Sequence, residues 1–329
     1  MSRIWTRRAA LALAGAAALI LAACGSGSIE SQLNPTRILV FGTGFSDMGQ
    51  TGATSTTIGK RYTVNDGGND IWIQDVATSF GLTLAAAVSG GTDYATGNAR
   101  ITAKPDAAGN SATPTVTEQV NNFLAAGGTF NATDLVVIEA GVSDIIAETM
   151  NITTNGGTQS SDQALANVKQ EGRDLGAQVR RLVQAGAQHV VVVGTYDLSR
   201  TPWSHSTGQD ALLTNLSTAF NTAMLVSIVD LGANVLYIDA AFEINLIANV
   251  PTAYNFIDSS TPVCSAAATD PGPGIGIGTG KLNSALCTPT TIIAGATYVQ
   301  YVFADQVYIT PQAHSVLASY AYDRIRSRW

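Results

Sequence analysis

Four short apolar runs divide the chain into longer segments of mixed character. They lie at residues 37–41, 134–140, 189–194 and 235–239. A continuous apolar run of this length, bounded by turn residues, is typical of a strand that is buried on both faces. The four runs therefore predict the central strands of one sheet.

Helical patterns occupy the segments between and after these runs. Apolar and small residues recur at spacings of three and four over residues 165–182 and 212–223, and a last helical pattern begins near Pro311. Strands that alternate with helices, and that are apolar throughout, predict an α/β fold in which helices cover both faces of a mainly parallel sheet. Ligands of such sheets bind beyond the carboxyl ends of the strands. Residues 151–161 and the glycine-rich stretch 270–280 are predicted to be loops.

The N-terminal segment has the composition of an export signal. Three arginines, at positions 3, 7 and 8, precede an almost unbroken run of Ala, Leu, Ile and Gly. This run is short for a membrane span, which needs about 20 apolar residues, although an uncleaved anchor helix is the alternative. The run ends in Leu-Ala-Ala-Cys at Cys24, which resembles a bacterial lipobox.

The lipobox resemblance implies a lipoprotein of the bacterial cell envelope. By this resemblance residues 1–23 are a signal peptide, Cys24 is lipidated, and Gly25 is typical of lipoproteins sent on to the outer membrane. Residues 24–36 would form the lipidated cysteine and a tether, and residues 37–329 a single domain. The expected partner is therefore a membrane, contacted through Cys24.

The charge and the cysteine content indicate which partners, disulfides and metals to expect. Beyond residue 24 the chain has 14 basic and 24 acidic residues, a net charge of about −10, and no Lys/Arg run, which excludes nucleic acid as the expected partner. With Cys24 lipidated in an oxidising compartment, Cys264 and Cys287 remain as one pair and are predicted to form a disulfide. No Cys/His cluster has the spacing of a zinc site, so no metal is expected.

A nucleotide cofactor is also not expected. Gly42-Thr43-Gly44 follows the first predicted strand and is similar to the start of a dinucleotide-binding turn. Asp47 occupies the position of the third glycine, where its charge would oppose a pyrophosphate.

Residues 41–49, Phe-Gly-Thr-Gly-Phe-Ser-Asp-Met-Gly, resemble the first block of the GDSL (SGNH) ester hydrolases, Phe-Gly-Asp-Ser-Leu-Ser-Asp-x-Gly. Residues 90–100, 141–144 and 303–314 resemble the later blocks in the same order, so the likeness covers residues 37–329. The resemblance implies a three-layer α/β/α, flavodoxin-like SGNH domain. It also implies an ester hydrolase, lipase- or esterase-like, without a cofactor.

The residues that carry chemistry in this family are largely replaced. Gly44 stands at the nucleophile position and Tyr308 at the position of the catalytic histidine, while Asp305 matches the acid. Gly97 and Ser143 stand at the two oxyanion positions, where the family has a glycine amide and an asparagine. We expect the Tyr308 hydroxyl to donate a hydrogen bond to Asp305 and the ring to fill the space of the imidazole.

Three hypotheses follow for the function. In the first, a catalytically inactive relative keeps its cleft to bind an acyl chain, glycan or other ester-bearing ligand. In the second, an active ester hydrolase uses displaced residues, of which Ser46 and His314 are the candidates, although a capping role for Ser46 and a packing role for His314 are the plainer interpretations. In the third, the protein is a structural envelope lipoprotein without a ligand. His189 and His205 lie near no block.

Overall fold

The computed structural model describes residues 33–52, 59–68 and 71–329. The predicted signal peptide, Cys24 and most of the tether lie outside the described residues. Within the described part of the chain, no helix is both long enough and apolar enough to span a bilayer.

The central sheet has four parallel strands in chain order. They are β1 (Arg37–Phe41), β2 (Asp134–Glu139), β3 (His189–Val193) and β4 (Val235–Ile238). The four apolar runs therefore predicted the strands correctly, three of them one residue too long. β2 is buried along its whole length, as expected for a strand covered on both faces. Beside β1, Val40 forms a parallel bridge with Asp93, which extends this edge of the sheet.

Eight helices accompany the sheet in the described residues. They are α1 (Trp72–Ser79), α2 (Val116–Ala125), α3 (Val142–Met150), α4 (Ser161–Gln184), α5 (Pro202–Thr207), α6 (Asp210–Ser227), α7 (Ala240–Asn249) and α8 (Pro311–Arg328). The three predicted helices are confirmed as α4, α6 and α8, each longer than its periodic pattern. α4 packs against α2 and α6, whereas α8 packs against α1 and α7. These two groups form the outer layers of the three-layer α/β/α fold that the sequence predicted.

Capping residues explain where the longest helices begin. The Ser160 side chain accepts a hydrogen bond from the Gln163 amide at the start of α4. Thr310 does the same for Ala313 at the start of α8, where Pro311 occupies the first helical position. Both arrangements satisfy backbone donors that have no partner within a helix.

The predicted disulfide between Cys264 and Cys287 is present. It belongs to a small second core with Val64, Val263, Ala268 and Ala304. The glycine-rich stretch 270–280 lies within the loop that the disulfide closes and contains no helix or strand, as predicted. Residues 151–160 are likewise irregular apart from a short 3-10 turn at Thr153–Asn155.

Candidate functional site

The four sequence blocks meet at the carboxyl ends of β1 and β2. The first block follows β1 and the third, 141–144, leads from β2 into α3. The second block lies along β1, where the Tyr94 amide donates to Val40 and the Thr96 amide donates to Gly42. The fourth block, 303–314, leads into α8 and brings Tyr308 against Gly44. The structure thus brings all four blocks to one place, where α/β folds bind their ligands.

Gly44 and Tyr308 are in direct contact. A β-carbon built on Gly44 would lie 2.7 Å from the Tyr308 hydroxyl oxygen and 3.0 Å from Cζ of the ring. Gly44 does not have a positive φ, so glycine is needed here for the close approach of Tyr308 and not for the backbone conformation. The tyrosine ring therefore occupies the space into which a nucleophile side chain at position 44 would extend.

The expected hydrogen bond between the Tyr308 hydroxyl and Asp305 is not formed. Asp305 Oδ1 accepts from the backbone amides of Val307 and Tyr308, both at 2.7 Å. Asp305 Oδ2 accepts from the Ser284 amide at 2.8 Å. The prediction was wrong because three backbone amides donate hydrogen bonds to the carboxylate of Asp305. The Tyr308 hydroxyl is buried without a hydrogen-bond partner among the described residues, and burial raises its pKa well above the usual value.

The backbone amide at the first oxyanion position is already engaged. The Gly97 N–H donates to Asp47 Oδ2 at 2.8 Å and to Thr51 Oγ1 at 2.7 Å. Tyr62 covers the same residue, since a β-carbon on Gly97 would lie 2.2 Å from the Tyr62 hydroxyl oxygen. At the second oxyanion position the Ser143 hydroxyl is buried and has no partner in the described part of the chain. The Gly97 amide, which would donate to an oxyanion in an active enzyme, therefore donates to the Asp47 carboxylate instead.

The displaced candidates Ser46 and His314 lie near the site, but no hydrogen bond joins them in the described part of the chain. Ser46 is fully buried, and its hydroxyl oxygen accepts a hydrogen bond from Trp72 Nε1 at 3.2 Å. Neither ring nitrogen of His314 has a partner among the described residues, and the ring lies 5.0 Å from that of Phe45, centroid to centroid. Burial lowers the pKa of His314 to about 3, so the ring is neutral at physiological pH. These contacts give His314 the surroundings of a packing residue.

The two remaining histidines lie away from the four blocks. His189 is the first residue of β3, at the opposite end of the sheet, and its ring packs edge-on against Trp329. His205 is on α5, with Nδ1 3.2 Å from Asp210.

Glu139 is a site residue that the sequence analysis missed. It is the last residue of β2, and the Thr43 hydroxyl donates to both of its carboxylate oxygens at 3.0 Å. A hydrogen bond with Ser46 also lowers its pKa, but burial outweighs these bonds and raises it to about 7. The sequence feature that could have identified Glu139 is a carboxylate at the end of a mainly apolar run.

The Thr43–Glu139 pair joins a hydroxyl to a carboxylate that can accept its proton. Both side chains are fully buried, with an exposed fraction of 1% or less. A substrate therefore has no path to the hydroxyl in this structure. Asp47 and Asp93 lie in the same region, and burial together with the neighbouring carboxylates raises the pKa of Asp93 well above its usual value. Among the described residues, no group of three or more His, Cys, Asp or Glu side chains is placed to hold a metal ion.

Comparison with known proteins identifies the family of this chain. The model of the family described as GDSL-like Lipase/Acylhydrolase matches residues 38–321. The chain belongs to this family. A solved structure similar to this chain has 14% sequence identity and a TM-score of 0.46, over 90% of this chain and 98% of the other. None of the curated proteins matches the chain.

A small cavity lies beside the filled centre of this GDSL-family domain. It has a volume of about 150 Å³, and its walls include Trp203, Gln209, Lys281 and Gln306. The side-chain oxygens of Gln209 and Gln306 have no hydrogen-bond partner among the described residues. The cavity therefore combines an aromatic ring with residues that have unused hydrogen-bond acceptors.

A larger groove of about 390 Å³ lies between α4 and α6, away from the four blocks. Its lining includes Ala219, Ala223 and Val226 from α6, and the basic residues Lys169 and Arg173 from α4. This surface is mainly apolar, with positive charge on one side.

Proposed function

We propose that this GDSL-family protein is a catalytically inactive, lipid-anchored component of the bacterial cell envelope that binds a carbohydrate at the carboxyl end of its sheet. The observation that carries the proposal is the contact of the Tyr308 hydroxyl with Gly44, which fills the nucleophile's space.

The chemistry of acyl transfer supports inactivity. This route needs a hydroxyl nucleophile, an adjacent imidazole base and donors for the oxyanion. Gly44 supplies no nucleophile, Tyr308 supplies no imidazole, and the Gly97 amide is bonded to Asp47. Loss of the nucleophile or the base alone costs roughly six powers of ten in turnover in a serine hydrolase.

The small cavity supports a carbohydrate as the ligand. Sugars combine hydroxyl groups with apolar ring faces, and the cavity walls combine the polar side chains of Gln209, Lys281 and Gln306 with apolar Met150 and Ile277. The side-chain oxygens of Gln209 and Gln306 are buried without a partner among the described residues, and a rotation that turned them towards the cavity would let them accept from a ligand's hydroxyl groups. The groove between α4 and α6 favours a second candidate, an anionic acyl chain, because apolar residues there adjoin Lys169 and Arg173.

The envelope location is supported by the lipobox at Cys24, and by Cys264 and Cys287, whose disulfide needs an oxidising compartment.

Activity is tested with a fluorophosphonate probe and a short activated ester. We expect no labelling, and hydrolysis no faster than with boiled protein. Labelling that disappears in Ser46→Ala, together with hydrolysis that disappears in His314→Ala, would instead establish the displaced-residue hydrolase.

Ligand binding is tested by screening envelope glycans and then titrating the best ligand calorimetrically. We expect Gln306→Leu to weaken binding about tenfold or more, since the ligand's donor then faces an apolar group. The matched control Gln184→Leu removes an exposed amide at the end of α4 and should leave the affinity unchanged. Binding of dodecanoate that is lost in Lys169→Ala would support the acyl candidate, and no binding of either kind would favour a structural lipoprotein.

A further inference from the structure

The described part of the chain begins at the amino-terminal end of the sheet. Leu33 is buried there, and Arg37 opens β1 opposite Asp134 of β2. The four strands are parallel, so their first residues share this edge. If Cys24 carries the lipid, the nine residues from Cys24 to Leu33 reach at most about 30 Å. This end of the domain is therefore held near the membrane.

Six arginines gather at this edge, which we call the basal face. They come from the start of β1, the last turns of α4 and the last turns of α8: Arg37, Arg180, Arg181, Arg324, Arg326 and Arg328. Three contacts place them around the strand starts. Arg180 pairs with Asp230, Arg328 donates to the Gly232 carbonyl, and Trp329, the next residue along, packs on His189 at the start of β3.

The charge of the basal face is opposite to that of the chain. The carboxylates beside these arginines are Asp134 at the start of β2, Asp230 just after α6 and Asp323 on α8, whereas the chain beyond residue 24 has 14 basic and 24 acidic residues. Asp134 and Asp230 each pair with one arginine. Among the described residues, no ion pair engages the other four arginines. No long basic run marks this face in the sequence, because folding assembles it from three separate segments.

Apolar side chains accompany the arginines. Val226, at the end of α6, is 70% exposed, and Val229, just before Asp230, is 81% exposed. Trp329 is partly exposed. Aromatic rings and arginines are the side chains that favour the boundary between lipid and water.

From these features we infer that the basal face docks on an anionic phospholipid surface, with the arginines against the headgroups and Val226, Val229 and Trp329 at the lipid boundary. This inference rests on the anchoring proposed through Cys24. It adds a defined orientation, in which the carboxyl ends of the strands and the candidate site face away from the bilayer. Each arginine near such a surface contributes roughly fivefold to binding at low salt.

Trp329 provides a local readout. The other tryptophans beyond residue 24, Trp72 and Trp203, are buried in the domain. The processed protein, which begins at Cys24 and so lacks Trp5, is reconstituted in vesicles of phosphatidylcholine, alone or with about one third phosphatidylglycerol, that carry a headgroup quencher. We expect quenching of Trp329 emission only with phosphatidylglycerol, loss of this quenching at high salt, and no such signal from Trp329→Phe.

A charge-matched pair of variants tests the face itself. Changing Arg324, Arg326 and Arg328 together to Gln should lower the ratio of docked to undocked protein by up to about a hundredfold. The control changes Lys60, Lys104 and Lys281 to Gln, which removes the same charge from exposed positions elsewhere and should leave docking unchanged.

The outcomes separate docking from anchoring. Anchored protein whose Trp329 is not quenched in anionic vesicles refutes the inference and leaves the anchor intact. Protein that is not anchored refutes the lipid tether. If unanchored protein floats with phosphatidylglycerol vesicles but not with phosphatidylcholine vesicles, the docking of the basal face is still supported. If it floats with neither, the docking proposal is refuted. Equal loss of docking in both triple variants, or tighter binding to a DNA duplex than to the vesicles, also overturns the proposal.

Discussion

The contact between Gly44 and Tyr308 predicts that substitutions at these two positions are strongly coupled. In Gly44→Ser the new β-carbon would lie 2.7 Å from the Tyr308 hydroxyl oxygen and 3.0 Å from Cζ. Both distances are shorter than an ordinary van der Waals contact. Because Tyr308 is fully buried, its ring has little room to withdraw.

This crowding sets the expected loss of stability in Gly44→Ser. Overpacking of a buried site typically costs about 1–3 kcal/mol, and we expect Gly44→Ser to lower the free energy of unfolding by that amount. Tyr308→His removes both clashing atoms, which leaves Tyr62 Cδ2 at 3.1 Å as the nearest remaining neighbour. In a chain that already carries Tyr308→His, the serine should therefore cost at least about 1 kcal/mol less, well above the roughly 0.5 kcal/mol within which independent sites add.

The assay is urea unfolding followed by circular dichroism for the wild type, both single variants and the double variant. A control cycle pairs Gly44→Ser with Tyr237→His on β4, which should be additive. Additivity in the Gly44–Tyr308 cycle itself would refute the interpretation of Tyr308 as the group that fills the nucleophile's space.

A third variant at the same position isolates the hydroxyl. Tyr308→Phe removes a buried group that has no hydrogen-bond partner among the described residues. We expect the free energy of unfolding to stay the same or rise by about 1 kcal/mol, because no hydrogen bond is lost. A loss of more than about 1 kcal/mol would show that the hydroxyl has a partner after all.

Three further predictions concern pH, the disulfide and the anchor. The unfolded chain releases the Glu139 proton near pH 4.5 and the folded protein near pH 7, so the stabilisation from this group is complete below about pH 4.5 and is lost as pH rises to about 7. The free energy of unfolding, measured with urea across this window, should fall by up to about 3 kcal/mol as pH rises, and Glu139→Gln should reduce this slope. Replacing Cys264 and Cys287 by Ser should lower the free energy of unfolding by about 3 kcal/mol, measured against wild type without reductant, and an unchanged midpoint would contradict this. Cys24→Ser should leave the protein soluble or unprocessed on fractionation, and a processed variant that still sediments with membranes would exclude lipidation.

A strand or helix could be predicted from sequence wherever an apolar run or a periodic apolar pattern was long enough to identify it. The runs that became β1 to β4 are buried on both faces and so have no polar interruptions to obscure them. α4, α6 and α8 each have 18 residues or more, so buried residues recur at spacings of three and four over several turns. α1, α2, α3 and α7 have at most ten residues, too few turns for the same pattern to be distinctive.

The site could be predicted only as far as positions along the chain. The blocks located Gly44, Gly97, Asp305 and Tyr308, and the structure brings these segments together. The hydrogen-bond partners of these side chains were not predictable, because several of them are distant in sequence. Asp305 is taken by the amide of Ser284, 21 residues earlier, and Thr43 finds Glu139 after 96 residues.

The disulfide determines how firmly one wall of the site is held. Within the loop that it closes, the Ser284 amide holds Asp305, and the Cys287 carbonyl accepts from the Asn65 amide. The wall beside Tyr308 is thus tied down by a covalent link that a reducing cytosol does not form. A chain without this link would keep the same hydrogen bonds, and we expect this part of the structure to open more often than in the oxidised protein.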